Sequence, residues 1–263
     1  MSLRVATFNI RHGEGLSGTI DLEAQAELIR HLGADVVLLQ EVDSGTHRSG
    51  GVHQASRLAD LAGFPYAAFA KNMDCDGGDY GNAILSRFRP LEIACIPIPT
   101  PDPELPRILR DGTPFYLEQR GVLRVKVEVE GETVQLLCTH FGFLEEERPR
   151  SARFLLEMIG SLEGTVILGG DLNAARDDDE EIVLLRSALT DCALTTGQQQ
   201  SPTFPADKPT LRLDYLFVRG ACSPVASVVA PTLVSDHRPL LADLVMVPDG
   251  VPAAPAPRVA TAN

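Results

Sequence analysis

Six apolar runs in this chain end in, or begin just after, an acid, an amide or a histidine, and this recurrence constrains the fold more than any single motif. Short apolar runs bounded by turn residues are typical of buried strands. The polar residues at their ends are Asn9, Glu41, His140, Asp171 with Asn173, Asp214, and Asp236 with His237. Burying a carboxylate is costly unless it is paired or binds a metal. One polar site shared by the strand ends therefore explains the pattern better than a set of independent sites.

The segment Gly169–Asn173, with the sequence GGDLN, is the clearest of these junctions and follows the apolar run Val166–Leu168. Alone it indicates little, because glycine permits positive φ and Asp or Asn side chains favour turns by bonding their own backbone. Its weight comes from the same arrangement at the other strand ends. We therefore expect Asp171 and Asn173 to lie at a sheet edge, where a rigid strand fixes polar side chains.

Length and composition predict one domain over residues 1–247 and a disordered tail, rich in Pro and Ala, over 248–263. No apolar stretch approaches the ~20 residues of a membrane span, and the first strand begins by Arg4, which leaves no room for a signal peptide. The five cysteines are scattered and lack CxxC spacing, so a disulfide framework or a structural zinc site is not expected. A monomer in a reducing cytoplasm is the expectation.

The charge balance bears on the ligand. The chain has 23 basic and 36 acidic residues and a formal net charge of −13, and its lysines are confined to Lys71, Lys126 and Lys208. Binding to duplex DNA depends largely on Lys and Arg that neutralise phosphates, and the sequence has no basic run or arm. A local cluster of arginines remains possible. The balance favours a small or headgroup-sized phosphate ester over long nucleic acid.

Helices and strands alternate along the chain. Helical spacing of apolar residues, with caps and stops, predicts helices at 21–31, 52–62, 149–161 and 179–189. Predicted strands lie near 3–9, 35–41, 66–70, 81–87, 91–98, 121–130, 133–140, 165–170, 213–219, 225–231 and 240–247. The adjacent strands joined at Glu130-Gly131-Glu132 indicate an antiparallel pair and hence mixed sheets. The proline-rich segment 97–119 is expected to form a loop over the site.

The motifs TFNI, LLQEVD, YGNAILSR, LCTHF, GGDLN, RLDYLFV and SDHRPL, in this order from about Thr7 to about Val245, resemble the motif series of the endonuclease/exonuclease/phosphatase superfamily. Each motif is degenerate by itself, whereas the full ordered series is specific. The resemblance implies an α/β four-layer sandwich in which two packed mixed sheets are flanked by helices, as in DNase I-like proteins. It also implies a metal-dependent phosphoric-ester hydrolase.

The resemblance assigns roles to the strand-end residues. It implies Glu41 as the principal metal carboxylate, with Asn9 beside it and Asp236 nearby; Glu41 considered alone would be an exposed acid. Oxygen ligands without cysteine suit Mg²⁺ or Mn²⁺ better than zinc. The catalytic residues implied are Asp171, which deprotonates the attacking water, Asn173, His140, His237 and its partner Asp214.

Asn82 and Arg120 leave two interpretations open. Asn82 follows Tyr80-Gly81 and is either a turn residue or a phosphate contact. Arg120 precedes a predicted strand and either binds phosphate through its guanidinium fork or pairs with Glu118.

The sequence thus favours a phosphodiesterase that acts on a small or headgroup-like substrate by in-line attack of an Asp-activated water. A DNA repair or degradative nuclease is the alternative. The negative net charge and the lack of tryptophan make it the less favoured interpretation. A non-catalytic binding scaffold of the same fold is the second alternative.

Overall fold

Two six-stranded mixed sheets form the centre of the fold in the computed structural model, which describes residues 2–100, 105–108 and 112–246. The strands are β1 Ser2–Asn9, β2 Val36–Ser44, β3 Tyr66–Cys75, β4 Gly78–Ser86, β5 Glu92–Pro97, β6 Arg107–Ile108, β7 Pro114–Phe115, β8 Gly121–Val129, β9 Glu132–His140, β10 Thr165–Asp171, β11 Thr190–Asp191, β12 Asp214–Arg219, β13 Cys222–Val229 and β14 Leu240–Met246. The predicted tail at 248–263 lies outside the described residues.

Helices cover the outer face of each sheet. They are α1 Leu22–Leu32, α2 Gln54–Ala62, α3 Arg148–Gly160, α4 Glu180–Arg186 and the short α5 Cys192–Thr195, and one 3₁₀ turn spans Arg11–Gly13. Helix α1 starts where Asp21 accepts a hydrogen bond from the amide of Ala24, and it ends at Gly33, whose φ of 62° suits a left-handed cap. None of the helices in the described part of the chain combines the length and hydropathy that a membrane span needs.

Three apolar clusters hold the layers together. The central cluster packs the two sheets face to face and includes Val5 and Leu38 from one sheet and Val125 and Ile167 from the other. A second cluster joins the first sheet to α1 and α2, and a third joins the second sheet to α3 and α4. The layers therefore follow one another as helices, first sheet, second sheet and helices. This order confirms the predicted four-layer α/β sandwich.

Strand direction explains why the polar ends meet. The first sheet has the order β13-β14-β1-β2-β4-β3, and the second has the order β11-β12-β10-β9-β8-β5. β1 runs parallel to β2 and β9 runs parallel to β10, whereas β14 and β12 are antiparallel to their neighbours β1 and β10. In the first sheet, the carboxyl ends of β1 and β2 therefore lie at the same end of the sheet as the amino end of β14. In the second sheet, the carboxyl ends of β9 and β10 lie at the same end as the amino end of β12.

The predicted elements are found with small shifts at their ends. Every predicted strand is present, and β2 and β3 run several residues beyond the predicted 41 and 70. Helix α4 is shorter than the predicted 179–189. The described part of the segment 97–119 is not wholly irregular, because β6 and β7 pair there as a small hairpin. Arg107 of this hairpin donates to Glu146 over 3.2 Å.

Candidate active site

The strand ends bring residues from four separate stretches of sequence around one carboxylate, Asp171. Asp171 is the last residue of β10 and is only 2% exposed. Its Oδ2 atom lies 3.0 Å from Nδ2 of Asn9 and 3.6 Å from the Nε2 atoms of both His140 and His237. Its Oδ1 atom accepts a hydrogen bond from the amide of Asn173. The predicted shared site therefore exists, with Asp171 at its centre.

Burial raises the pKa of Asp171 to about 6, and the nearby negative charge of Asp214 adds to this effect. The cationic His237 and hydrogen bonds from Asn173 and Asn9 act in the opposite direction. A carboxylate with a raised pKa is a stronger base than an exposed aspartate, yet it remains largely ionised at pH 7 to 8. Asp171 is thus suited to accept a proton from water.

His237 forms a buried ion pair with Asp214. Nδ1 of His237 lies 2.9 Å from Oδ2 of Asp214, and Asp214 is fully buried at the start of β12. Burial by itself lowers the pKa of His237, but the charges of Asp214 and Asp171 outweigh burial and raise the pKa to about 10. The ring is therefore an imidazolium at neutral pH, and its Nε2 atom lies 3.6 Å from Oδ2 of Asp171.

His140 has the opposite protonation state. Burial lowers the pKa of His140 well below its usual value, and the positive charges of Arg120 and His237 lower it further. Nε2 of His140 lies 3.1 Å from Nδ2 of Asn173, so the neutral ring accepts a hydrogen bond from that amide. Two histidines at the same distance from Asp171 thus carry different charges because Asp214 pairs with only one of them.

Asn9 links two carboxylates from neighbouring strands. Its Nδ2 atom donates to Oε1 of Glu41 over 2.9 Å as well as to Asp171. Its Oδ1 atom accepts from the amide of Arg11. In this orientation Asn9 holds the carboxylates together and does not present a free oxygen, so its role as a metal ligand stays a prediction.

Glu41 projects into the cavity because the backbone of β2 is irregular at this position. The pairing of β2 with β4 shifts between Leu39 and Val42, and Glu41 has a positive φ of 58°. Such a bulge redirects a side chain, and its backbone strain is typical of functional positions. Among the described residues, Glu41 has one hydrogen-bond partner, Asn9, which leaves carboxylate lone pairs for a ligand.

The donor set fits a hard divalent cation. Three carboxylates, Glu41, Asp171 and Asp214, face one imidazolium, His237, while His140 is neutral. This excess of negative charge in a buried site favours Mg²⁺ or Mn²⁺, which prefer oxygen ligands. Asp171, Asp214 and His237 also present ligand atoms within 4.8 Å of one another, but the ion pair of His237 with Asp214 accounts for that group. Glu41 is therefore the better candidate for the metal carboxylate.

Asp236 does not join this group. Its Oδ2 atom lies 3.6 Å from Nε of Arg11, and its Oδ1 atom lies 3.3 Å from the hydroxyl of Ser235. Arg11 and His12 adopt positive φ values of 46° and 43° directly after β1, and this turn brings Arg11 to Asp236. The negative charge of Asp236 also helps to raise the pKa of His237, and the predicted role of Asp236 near the metal stays a prediction.

Arg120 satisfies both of its proposed interpretations in part. Its Nη2 atom pairs with Oε2 of Glu118 at 2.6 Å, yet the residue also lines the cavity. Its Nε atom is buried and has no hydrogen-bond partner among the described residues, so binding of phosphate by Arg120 stays a prediction. Asn82 lies inside β4 rather than in a turn, and its Nδ2 atom donates to the carbonyl of Gly121. Asn82 thereby fixes the backbone next to Arg120.

A cavity of about 690 Å³ opens over these residues. Of the predicted site residues it is lined by Glu41, Arg120, His140, Asp171, Asn173 and His237. Asn9, Asp214 and Asn82 support these residues from behind. Sequence reasoning missed the rest of the lining, notably Tyr80, Phe143, Phe204 and Leu211. Tyr80 stands in the YGNAILSR motif, whereas the others carry no local signal, because an apolar residue in a loop has no distinctive sequence pattern.

Comparison with known proteins agrees with this geometry. A family model described as Endonuclease/Exonuclease/phosphatase family matches residues 6–237. The Escherichia coli K12 protein YbhP is 29% identical over 92% of this chain and 96% of its own length. A crystal structure of an endonuclease/exonuclease/phosphatase from Beutenbergia cavernae is 25% identical, with a TM-score of 0.75 over 94% of this chain and 72% of that one.

A more distant structure shares the fold. The mannosyl-6-phosphatase Bt3783 of Bacteroides thetaiotaomicron has a TM-score of 0.71 at 16% identity, over 93% of this chain and 100% of that one. The family match covers most of the chain and includes the strand ends that form the site. The chain belongs to the endonuclease/exonuclease/phosphatase family of phosphoester hydrolases.

Proposed function

We propose that this protein is a divalent-metal-dependent hydrolase of small phosphodiesters. The observation that carries the proposal is the buried carboxylate of Asp171, with Oδ2 3.6 Å from an imidazolium and 3.6 Å from a neutral imidazole at the base of an open cavity. This arrangement supplies a base and a cation to the same phosphoryl group. It is the chemistry that in-line attack of water requires.

In the proposed reaction Asp171 takes a proton from water as the water oxygen bonds to phosphorus. The bond from phosphorus to the alcohol oxygen breaks on the opposite side, and the alcohol leaves with a proton from solvent or a neighbouring acid. Asn173 fixes Asp171 through its backbone amide. Because Asn173 also donates to His140, it couples the orientation of the base to that of the neutral histidine.

His237 and Arg120 stabilise the negative charge that develops on the phosphoryl oxygens. Asp214 keeps His237 protonated and fixes the ring through Nδ1, so that Nε2–H is the donor towards substrate. Arg120 contributes its positive charge to the lining of the cavity. When bound by Glu41, Mg²⁺ or Mn²⁺ supplies Lewis-acid stabilisation of phosphoryl oxygens.

The lining favours diesters over monoesters and over DNA. A monoester dianion brings one more negative charge than a diester into a site that already holds Glu41 and Asp171. Each cation of the cavity lining is already paired with an acid; these cations are Arg120, Arg148, Arg176 and His237. A nuclease is the second candidate, and it needs a run of basic contacts for successive phosphates. The non-catalytic scaffold explains neither the raised pKa of Asp171 nor the opposite charges of the two histidines.

The experiment is hydrolysis of bis-p-nitrophenyl phosphate, p-nitrophenyl phosphate and an abasic DNA duplex with Mg²⁺, Mn²⁺ or EDTA. We expect metal-dependent cleavage of the small diester, slower cleavage of the monoester and little cleavage of the duplex. Asp171→Asn should reduce turnover at least about 10³-fold without a loss of folding. Asp74→Asn is the matched control, since Asp74 is exposed and outside the cavity.

Three outcomes would contradict the proposal. Near-normal turnover in Asp171→Asn would remove Asp171 from its role as base. Preferential cleavage of the duplex at physiological salt would make a nuclease the better-supported function. Absence of Mg²⁺ and Mn²⁺ binding by calorimetry would favour the non-catalytic scaffold.

A further inference from the structure

One side of the cavity is formed by apolar side chains that the proposed reaction does not use. We call this set the apolar wall: Phe143, Leu144, Phe204, Leu211 and Leu213. Phe143 is 65% exposed and Leu211 is 39% exposed. Single exposed apolar residues are common on protein surfaces, but an apolar lining next to convergent polar groups is typical of a ligand pocket.

The backbone that carries Phe143 is held firmly in place. Its carbonyl accepts a hydrogen bond from Nη1 of Arg148 over 3.2 Å, and Arg148 pairs with Glu181 at 2.5 Å, both side chains being buried. The next amide, that of Leu144, donates to Oε2 of Glu147. The ring of Phe143 is thus exposed on a fixed backbone, which makes it a preformed contact surface rather than a loose loop residue.

The apolar wall adjoins the catalytic residues directly. The ring of Phe204 lies 4.9 Å from the ring of His237, centroid to centroid. Leu211 and Leu213 come just before Asp214, the partner of His237. A group bonded to the phosphorus that His237 contacts would therefore lie within reach of the wall.

The charges around the cavity disfavour a second anionic group. Its arginines are each engaged by an acid: Arg120 by Glu118, Arg148 by Glu181 and Arg176 by Asp178. Arg176 is 72% exposed along its side chain, so its pair is weak, but Asp178 and Asp179 both lie beside it.

The acids of the cavity are less fully neutralised. Glu145 lines the cavity and has no ion-pair partner within residues 2–100, 105–108 and 112–246, and Asp179 lines it as well. A phosphate placed at this end would face Glu145 and Asp179, and the cation beside them, Arg176, already pairs with Asp178 and Asp179. The outer part of the cavity therefore combines apolar surface with negative charge.

We infer that the apolar wall binds the alcohol group that the diester retains beside its scissile bond, and that this group is apolar and carries no second phosphate. The inference rests on the proposed function, because it names the substrate class of the same site. It makes Phe143 and Leu211 specificity-determining residues and Glu145 the residue that rejects an additional anion.

The test compares p-nitrophenyl phosphodiesters that share one leaving group. The second alcohol is methanol, hexanol, thymidine through its 5′-oxygen, or the same nucleoside bearing a 3′-phosphate. Each methylene buried is worth about 0.8 kcal/mol, and tenfold in rate corresponds to about 1.4 kcal/mol. We expect kcat/KM for the hexyl ester to exceed that for the methyl ester at least about tenfold, and the 3′-phosphate to lower kcat/KM about tenfold.

Variants assign these preferences to residues. Phe143→Ala should lower kcat/KM for the hexyl ester about tenfold and change that for the methyl ester less than about threefold. Val228→Ala is the matched control, because Val228 is 55% exposed on β13 and does not line the cavity. Glu145→Lys should reduce the penalty of the 3′-phosphate several-fold without altering the preference for hexyl over methyl.

A binding measurement separates failure of this inference from failure of the proposed function. Hexylphosphonate and methylphosphonate are titrated calorimetrically into the wild type and Phe143→Ala. If no diester is hydrolysed but hexylphosphonate binds more tightly in a Phe143-dependent way, the proposed function fails and the apolar wall stands. Equal rates of hydrolysis for the hexyl and methyl diesters, or a higher kcat/KM with the 3′-phosphate, would overturn the proposed role of the apolar wall. The proposed hydrolase function would still stand.

Discussion

The ion pair of Asp214 with His237 gives the sharpest test of how the site works. Asp214→Asn removes one charge while keeping the size of the side chain. In the wild type the pKa of His237 rises from 6.5 to about 10, which corresponds to roughly 5 kcal/mol in favour of the imidazolium. Burial opposes this rise, which the charge and hydrogen bond of Asp214 and the charges of Asp171 and Asp236 produce. Loss of the Asp214 charge should therefore lower the pKa of His237 by at least about 2 pH units.

The assay is the pH dependence of kcat/KM for bis-p-nitrophenyl phosphate between pH 5 and pH 10. Loss of a charged donor to the transition state typically costs about 10²–10³-fold. At pH 9 the wild-type ring is still largely protonated, whereas with a pKa of about 8 or lower only roughly a tenth or less of the rings in Asp214→Asn carry the proton. The rate of the variant should therefore fall at least about tenfold, and it should approach the full factor if the pKa falls further. At pH 6 both rings are protonated, and the difference should be much smaller. NMR titration of the imidazole measures the pKa of His237 directly.

Stability should follow the same pKa with a defined sign. Because the folded-state pKa of His237 is raised, its charged form stabilises the fold fully below about pH 6.5, and this contribution declines as pH rises and is lost above about pH 10. The difference in unfolding free energy between wild type and Asp214→Asn should therefore narrow over this range. Asp43→Asn is the control, since Asp43 is also fully buried and pairs with Arg48 outside the cavity.

Two results would contradict a role for the His237 charge: Asp214→Asn keeps the wild-type rate at pH 9, or it loses activity by the same factor at pH 6 and pH 9. The first result would mean that the charge of His237 is not needed. The second would mean that Asp214 acts only by positioning the ring.

Three further predictions concern metal binding, stability and strand geometry. Glu41→Gln should weaken Mg²⁺ binding at least about tenfold by calorimetry while leaving the melting temperature of the metal-free protein nearly unchanged. Arg148→Met should cost about 3–5 kcal/mol in denaturant unfolding, because it leaves Glu181 buried without a counter-charge, whereas Arg176→Met, in an exposed pair, should cost under about 1 kcal/mol. Gly170→Ala should lower kcat at least about 10²-fold. The new Cβ would lie 2.1 Å from a backbone oxygen of β9, and this clash would displace the ends of β9 and β10. An unchanged kcat would show that the two strands can move apart without disturbing the site.

The strand-end residues were predictable because each is specified locally. Asn9, His140 and Asp171 each follow an apolar run, and a buried strand followed by a polar residue is visible within about ten residues of sequence. The alternation of helices and strands, together with the ordered motifs, was enough to predict the two-sheet sandwich. The segment 97–119 was predicted as a loop because it is rich in proline. The strands β6 and β7 that pair within it have two residues each, which is too short for a recognisable strand pattern in the sequence.

Other features were not encoded locally. Asp236 adjoins His237 in sequence, but the left-handed turn at Arg11 gives it a cationic partner outside the cavity. Asn82 resembles a turn residue next to Gly81, yet the pairing of β4 with β3 places it inside a sheet. In both cases contacts from distant segments decided the position of the side chain.

The sequence by itself determined the layers of the fold and the set of polar residues at the strand ends, because apolar periodicity and strand boundaries are properties of contiguous residues. Only the tertiary structure decided that His237 is charged and His140 neutral, since that difference depends on burial and on Asp214, which lies on another strand. The apolar wall was likewise decided by tertiary structure, because it joins loops separated by about sixty residues or more. Charge states and pocket shape arise from distances across the two sheets, and those distances are not contained in any local stretch of the chain.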